Sequence, residues 1–460
     1  MTQCQYWNSR NTVLYDYFLR VRFSPFGANA HAQEDTISAS LHGMITATRY
    51  HTAIFCACDF RPLGRTHMRA VYHIRFASWY TGHMEKKENV LHRFLPAEWK
   101  RELWRLLWLL LFPLAIVLPR LASRNPLFIE RVYGQGIYPV VNAILRTVSG
   151  IVPFSVTEWL LYALILGIPA LAITKIVRVF TRRISWLKFT HFVLTLLLVA
   201  GLLFNGFYVL WGLNYSRPGL RYRLALDVKE RPIEELNALC TALAARANSL
   251  REQIPEDTRG VFTLPGGIQK SFDEIPEAYR NLNAVLPQIG SGAARPKTVL
   301  FSTGLSWAGI SGIYIPFTAE PNVNIDQPAL LIPSSAAHES AHGLGIARED
   351  EANFAAYLAC MASDDISTQY SGVMLALIHS GNQLHKVDRQ AYYALYDTYS
   401  EGIRRDLADY DAYWEAFEGP GEEAVTKVND GYLKYNQQDS GVRSYGEMVD
   451  LLLAYYEKAA

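Results

Sequence analysis

Residues 338–342 read His-Glu-Ser-Ala-His. Two imidazoles at i and i+4 lie on one face of a helix. As neutral nitrogen donors they can share one metal ion, and zinc is the ion they suit best. Glu339 is turned about 100° from His338 by helix geometry. It reaches water held by the ion without ligating the ion itself. There the metal lowers the pKa of water toward about 7 and Glu339 accepts the proton as general base. A surface helix with two unrelated histidines is the alternative. The surrounding SSAAHESAHGL is apolar and helical, with Ser334 or Ser335 as N-cap after Pro333, which favours the site.

A catalytic zinc site takes three protein ligands and leaves one position open. Glu349 follows His342 by seven residues, about 10.5 Å along a straight helix. That is too far for bonds near 2 Å, so the helix must stop, and Gly343 and Gly345 are C-cap residues. A second helix then begins near Glu349 and runs through EDEANFAAYLACMAS. Glu349 and Asn353 share a face, and Ala352, Ala355, Ala356 and Ala359 are small enough for close helix approach. Glu349 is the expected third ligand, and Asn353 the residue that orients it or a histidine. Glu351, about 200° away by the same geometry, is the alternative ligand. Arg348 stands where the pattern H-E-x-x-H-x-x-G-x-x-H needs a third histidine, and a permanent cation cannot ligate zinc. His379 and His385 read as surface residues of a later helix.

Two further stretches bear on hydrolysis. GIYIPF (312–317) reads as a short strand. Gly312, Ile313, Tyr314 and Ile315 are the expected edge on which an extended substrate adds as a strand; a core strand is the alternative. An oxyanion needs a donor, and NQQDSGVRSYGE offers Tyr445 first and Arg443 second as such catalytic groups.

The elements that must position these residues are legible from composition. The chain has 460 residues and a formal net charge of +1, which gives no sign of a nucleic-acid partner. Mean hydropathy of +0.02 hides an apolar middle and an ordinary polar C-terminal half. Five cysteines in this length make no disulfide framework. Cys56 and Cys58, with His51 nearby, read as unrelated rather than as a metal cluster. Residues 1–83 hold six of the twelve histidines and show no sustained period. They are expected to be a doubtful extension, with Met84 as the natural start.

Three apolar segments follow, at about 103–121, 159–177 and 189–213. Each approaches the roughly 20 residues needed to cross a bilayer. Arg105, Arg120 and Pro113 make the first the weakest. Basic residues in 84–101 and 178–188 place both stretches in the cytoplasm by the positive-inside bias. Three crossings then put everything after about Leu213 outside. The membrane domain spans 84–213 and a soluble domain 214–460, the latter α-rich with a small β element.

E-x-x-A-N-F-A-A after H-E-x-x-H resembles the gluzincin helix pair, seen in CAAX-type membrane proteases and in small phage-repressor-type zinc peptidases. That resemblance implies Glu349 as ligand and Asn353 at the Asp/Asn position. From about residue 100 the chain is similar to a bacterial membrane family designated domain of unknown function 3810. The similarity rests on FIERVYGQGIYP (128–139), IVPFSVTEWLLY (151–162), WGLNYSRPGL (211–220), GISGIYIPFTAEPNVN (309–324) and SGVRSYGEMVDLLLAYY (440–456).

The expectation is a mainly α protein: three transmembrane helices followed by a zincin-like α+β domain outside a bacterial plasma membrane, with the N-terminus cytoplasmic. It would bind Zn²⁺ and hydrolyse peptide bonds of peptides or proteins near the lipid bilayer. A degenerate peptidase domain serving as membrane sensor or scaffold, and a zinc amidase of cell-wall material, are the alternatives. An intact Glu339 argues against the first.

Overall fold

The computed structural model describes residues 106–436, 438, 441 and 447–459. The expectations for residues 1–83, for Arg443 and for Tyr445 lie outside the described residues.

The fold is mainly helical. A 3₁₀ turn, Leu107–Leu110, runs into α1 (Leu111–Ala122). The chain then bends at Asn125, which precedes a proline and so avoids helical backbone. It continues through α2 (Pro126–Ile129), a π-helical stretch Glu130–Ile137 and α3 (Tyr138–Ser149). The stretches Leu107–Ala122 and Pro126–Ser149 are bent by 102° relative to each other. The first apolar segment, expected at about 103–121, thus ends at a sharp corner.

Helices α4 (Val156–Phe180) and α5 (Trp186–Leu210) are each 25 residues long and apolar enough to cross a membrane. At 1.5 Å per residue each extends about 37 Å, more than the hydrocarbon thickness. Ser155 and Ser185 cap them, accepting from the Glu158 and Lys188 amides. Helix α5 packs on α1 at Gly201, where a Cβ would lie 3.0 Å from Leu111 Cβ. Asn205 Nδ2 locks the pair by donating to the Leu111 and Gly201 carbonyls at 2.8 Å.

Beyond Leu210 come a 3₁₀ turn Gly212–Ser216, α6 (Leu220–Arg223), α7 (Ile233–Arg251) and α8 (Gly267–Val285). The strands are β1 (Lys297–Thr298), β2 (Gly312–Ile315) and β3 (Glu320–Val323), with α9 (Ser302–Ser306) between the first two. Their order is β1–β3–β2, parallel then antiparallel, so β2 is an edge strand. Strand β1 stops after Thr298, and the Leu300 and Phe301 amides turn to the Glu158 carboxylate at 2.9 Å. Helices α10 (Ile332–Gly343), α11 (Glu349–Met361) and α12 (Ile366–Val387) follow. Helices α13 (Arg389–Tyr396), α14 (Glu401–Glu415), α15 (Pro420–Tyr435) and α16 (Met448–Ala459) complete the chain.

The core gathers α7, α10, α11 and α12. Ala336, Ala337 and Ala341 of α10 and Ala352, Ala355, Ala356 and Ala359 of α11 are fully buried. Small side chains on both sides let the two helices approach closely.

A buried ion pair ties the sheet to the start of α4. Lys297 Nζ and Glu320 Oε1 lie 2.6 Å apart with both side chains almost inaccessible. Lys297 also donates to the Ser149 and Phe154 carbonyls. Glu320 accepts from the Val156 and Thr157 amides and the Thr157 hydroxyl. It thereby satisfies amides of the first turn of α4 that have no partner within the helix. Burial pushes the Glu320 carboxyl up, but Lys297 and the Thr157 donors outweigh it and hold it below the usual carboxylate range. A lowered folded-state pKa stabilises above the unfolded value of about 4.3 and ceases to do so as pH falls through the folded value. Glu320→Gln should therefore destabilise the detergent-solubilised chain by about 3 kcal/mol at pH 7. The deficit should shrink below about pH 4. Thermal unfolding at both pH values checks this; an equal deficit at each would reject the ion-pair account.

Candidate metal centre

Helix α10 does not start at Ser334 or Ser335, as its sequence suggests. It starts at Ile332, led in by a 3₁₀ turn Ala329–Leu331, with Leu331 at the N-cap position and no side-chain cap. Ser334 Oγ instead donates back to the Leu331 carbonyl, and its amide is met by Ser371 of α12. Ser334 thus ties α10 to α12 rather than capping it.

His338 and His342 point the same way from α10, with their Nε2 atoms 3.1 Å apart. The helix ends at Gly343, and Gly345 adopts φ +81° to reverse the chain. The Gly345 and Ile346 amides close the turn on the His342 and Ala341 carbonyls. Helix α11 then begins at Glu349, whose Oε2 lies 3.1 Å from His338 Nε2 and 3.5 Å from His342 Nε2. The donor atoms of these three residues all fall within 4.8 Å of one another.

The outer nitrogens fix the tautomers. His342 Nδ1 lies 2.8 Å from the Ile346 carbonyl, an obligate acceptor, so Nδ1 carries the proton. His338 Nδ1 lies 2.7 Å from Asn353 Oδ1 and donates to it. Both Nε2 lone pairs therefore face the Glu349 carboxylate. Three acceptors converge where burial excludes bulk water, and something positive must join them. Burial pushes the His342 imidazole down, but the Glu349 charge and hydrogen bond outweigh it and set it at about 9. Burial alone would push Glu349 up, yet His342 and His338 hold it far below the usual carboxylate range. The donor set also suits zinc: a tetrahedron with bonds of about 2.0 Å has edges near 3.3 Å, and the observed separations are 3.1–3.5 Å.

Glu339 is buried one residue on from His338. It lies against β2: a Cβ on Gly312 would come 2.8 Å from Glu339 Oε1. The Tyr314 backbone N–H bonds to the same carboxylate, which burial raises despite the neighbouring imidazoles. Gly312, Ile313, Tyr314 and Ile315 form the edge strand beside it; Ile313 is exposed and Tyr314 buried.

The alternative ligand, Glu351, is elsewhere. Its Oε1 accepts from the Leu220 amide at 2.6 Å, at the start of α6. His379 is not a simple surface residue as the sequence suggests, because α12 packs against α10 and α11. It is half-buried, and burial followed by the His338 charge lowers it to about 4. His385 is half-buried too and sits edge-on to Tyr392.

Several residues near the cluster escaped the sequence reading. Trp211 Nε1 donates to the His342 carbonyl at 2.8 Å, and the Tyr138 hydroxyl to the Gly343 carbonyl at 2.9 Å. Arg217 Nη1 donates to the Gly345 carbonyl and binds Glu130 through its other nitrogens. These three side chains satisfy the carbonyls that a terminating helix leaves open. Asn142 Nδ2 donates to the Tyr314 hydroxyl at 2.8 Å, tying α3 to β2. Tyr432 of α15 accepts from the Tyr215 hydroxyl and lies close enough to Glu349 to feel its charge. A residue two hundred positions away leaves no local pattern that could announce these contacts.

A family model matches residues 133–453. The chain belongs to the family described as Protein of unknown function (DUF3810). No curated protein and no solved structure matches the chain. The match takes in α3, α4 and α5, the strands and both cluster helices of this DUF3810 protein.

Gly345 has a second constraint besides its φ: a Cβ there would lie 2.6 Å from Arg217 Nη1 and 2.9 Å from Asn214 Oδ1. Gly343 has ordinary backbone, and its Cβ would meet only Tyr314, at 3.4 Å. Gly345→Ala should cost roughly 3 kcal/mol, left-handed strain plus overpacking. Gly343→Ala should cost under about 1 kcal/mol. Thermal unfolding of the two variants checks the ranking, and equal midpoints would contradict this account of the turn.

Proposed function

We propose that the chain is a membrane-anchored zinc metallopeptidase of gluzincin type. One observation carries the reading: two Nε2 lone pairs and a carboxylate converge in a buried cluster, with a fourth buried group, Glu339, directly beside them. A purely structural site has no use for that last carboxylate. His338, His342 and Glu349 would hold the ion, with Asn353 and the Ile346 carbonyl fixing the imidazoles. Bound there, zinc supplies Lewis acidity toward a carbonyl.

The chain's own residues supply the rest. Glu339 takes a proton from the attacking water and returns it to the leaving amine. Its raised affinity for protons, a consequence of burial, suits that exchange. The edge strand β2 offers its backbone to an extended peptide, which would add as a further strand over Glu339. Tyr432, within reach of the Glu349 charge, is a candidate oxyanion donor beside Tyr445 and Arg443.

The membrane placement joins the same proposal. Helices α4 and α5 cross, and α1 with the residues before it makes a third crossing. The basic stretch 178–188 lies in the cytoplasm, and the metal cluster faces the other side of a bacterial plasma membrane. Substrates are then peptides or exported proteins held near that surface.

Zinc per chain, measured on the purified full-length protein, tests the site. About one zinc is expected in the wild type, retained in Glu351→Ala and Glu339→Gln and lost in Glu349→Ala. Glu339→Gln should lower hydrolysis of a peptide panel by roughly 10²-fold or more with zinc in place. A folded wild type without zinc would leave a degenerate scaffold as the better account. Turnover of muropeptides but not peptides would make it an amidase.

A further inference from the structure

The corner after α1 creates a surface that the metal site does not use. The chain turns through 102° there. If α1 runs along the membrane normal, α2 and α3 lie close to the membrane plane. Helix α3 is amphipathic in the matching sense. Val140, Ile144 and Val148 follow at i, i+4 and i+8, with Ile137 and Ile151 extending the stripe, and all five are exposed. Leu127 and Phe128 of α2 are exposed as well. The opposite face carries Tyr138, Asn142 and Arg146, turned toward the soluble domain. An exposed apolar stripe opposite a polar face is the pattern of a helix lying in the bilayer interface.

Behind that helix is a cavity of about 600 Å³. Arg146, Arg217 and Arg223 line it, with Glu130 the one acidic residue among the lining groups. Arg217 is committed to Glu130 at 2.6 Å. Arg146 donates to the Gly292 carbonyl and Arg223 to the Gln288 carbonyl, and among the described residues neither pairs with a carboxylate. Glu130 and Glu351 are near enough for their charges to act on Arg223, but among the described residues no carboxylate lies within ion-pair distance of either guanidinium. Burial, then the adjacent Arg217 charge, lowers Arg223 to about 10, outweighing the opposing Glu130 and Glu351 charges. Leu127 in the lining is exposed, whereas Gly343 and Leu344, from the end of the cluster helix, form part of the wall. The volume is in the range of small-molecule sites.

We infer that this cavity holds the phosphate of an anionic phospholipid, with Arg146 and Arg223 as its two charge partners and α3 lying in the outer leaflet as its roof. Guanidinium groups match phosphate oxygens in geometry and charge. The acyl chains would leave past Leu127 along the apolar stripe. This rests on the membrane placement above but not on the metal.

Native mass spectrometry of the full-length protein, extracted in mild detergent and exchanged with phosphatidylglycerol or phosphatidylcholine, tests it. The wild type should retain one phosphatidylglycerol in clear preference to phosphatidylcholine. Arg146→Gln with Arg223→Gln should cut that retention at least tenfold. Gln288→Glu, which adds a carboxylate at the rim and truncates no arginine, should do the same and covers the case in which the double variant misfolds. Arg178→Gln with Arg182→Gln, remote from the cavity, should change nothing. Equal retention of both lipids, or unchanged retention in the cavity variants, overturns the inference. Binding of inorganic phosphate with no lipid retained overturns it in favour of a soluble phosphate ligand. Failure of the protein to partition into detergent would instead reject the membrane placement itself.

Discussion

Three hydrogen-bond acceptors meeting in one buried place is the constraint from which the rest of this structure follows. His338 Nε2, His342 Nε2 and a Glu349 oxygen stand 3.1–3.5 Å apart. Burying such a set without a positive partner would cost several kcal/mol. To bring it about, α10 must stop within three residues of His342, and α11 must begin with its first carboxylate aimed backward. Gly345 provides the reversal, and the buried alanines of the two helices provide the proximity. Glu349 also stands in the first turn of α11, where the helix dipole favours a negative charge.

Ending a helix in the interior creates a second difficulty, since its last carbonyls lose their partners. The chain solves it with side chains from residues near the apolar segments. Trp211 follows α5 by one residue, Tyr138 opens α3, and Arg217 lies in the turn after Trp211. The cluster is therefore built partly on residues that follow α5 and open α3, while Glu320 and Lys297 couple the sheet to the start of α4.

What could be read from sequence divides along the same line. His338 with His342, and Glu349 with Asn353, were legible because spacing of four on a helix is a local rule. Gly345 was legible because few residues other than glycine take its backbone conformation at no cost. Segments α4 and α5 were legible from composition and length. The end of the first apolar segment near residue 121 was legible too, but the 102° turn that follows it was not, because no local period encodes an angle between helices. Nor were Trp211, Tyr138, Tyr432 and His379, whose partners are far off in the sequence or lie on another helix; no period encodes such contacts. The Ser334 cap failed for a related reason, since Ser371 across the core engages its amide.

Glu349 and Glu351 show how narrow the distinction can be. Both are buried carboxylates in the first turn of α11, two residues apart. Helix geometry turns them about 200° from each other, and that rotation decides their chemistry. One faces two imidazole lone pairs, where another acceptor is tolerable only with a cation present. The other faces the Leu220 amide, where it accepts a hydrogen bond and closes the start of α6. Glu349 is costly to bury beside two imidazole lone pairs, and the cation of the proposed site would offset that cost. Glu351 is already satisfied within the protein, so losing it should disturb the packing of α6 while leaving the three-donor cluster its full set of ligands.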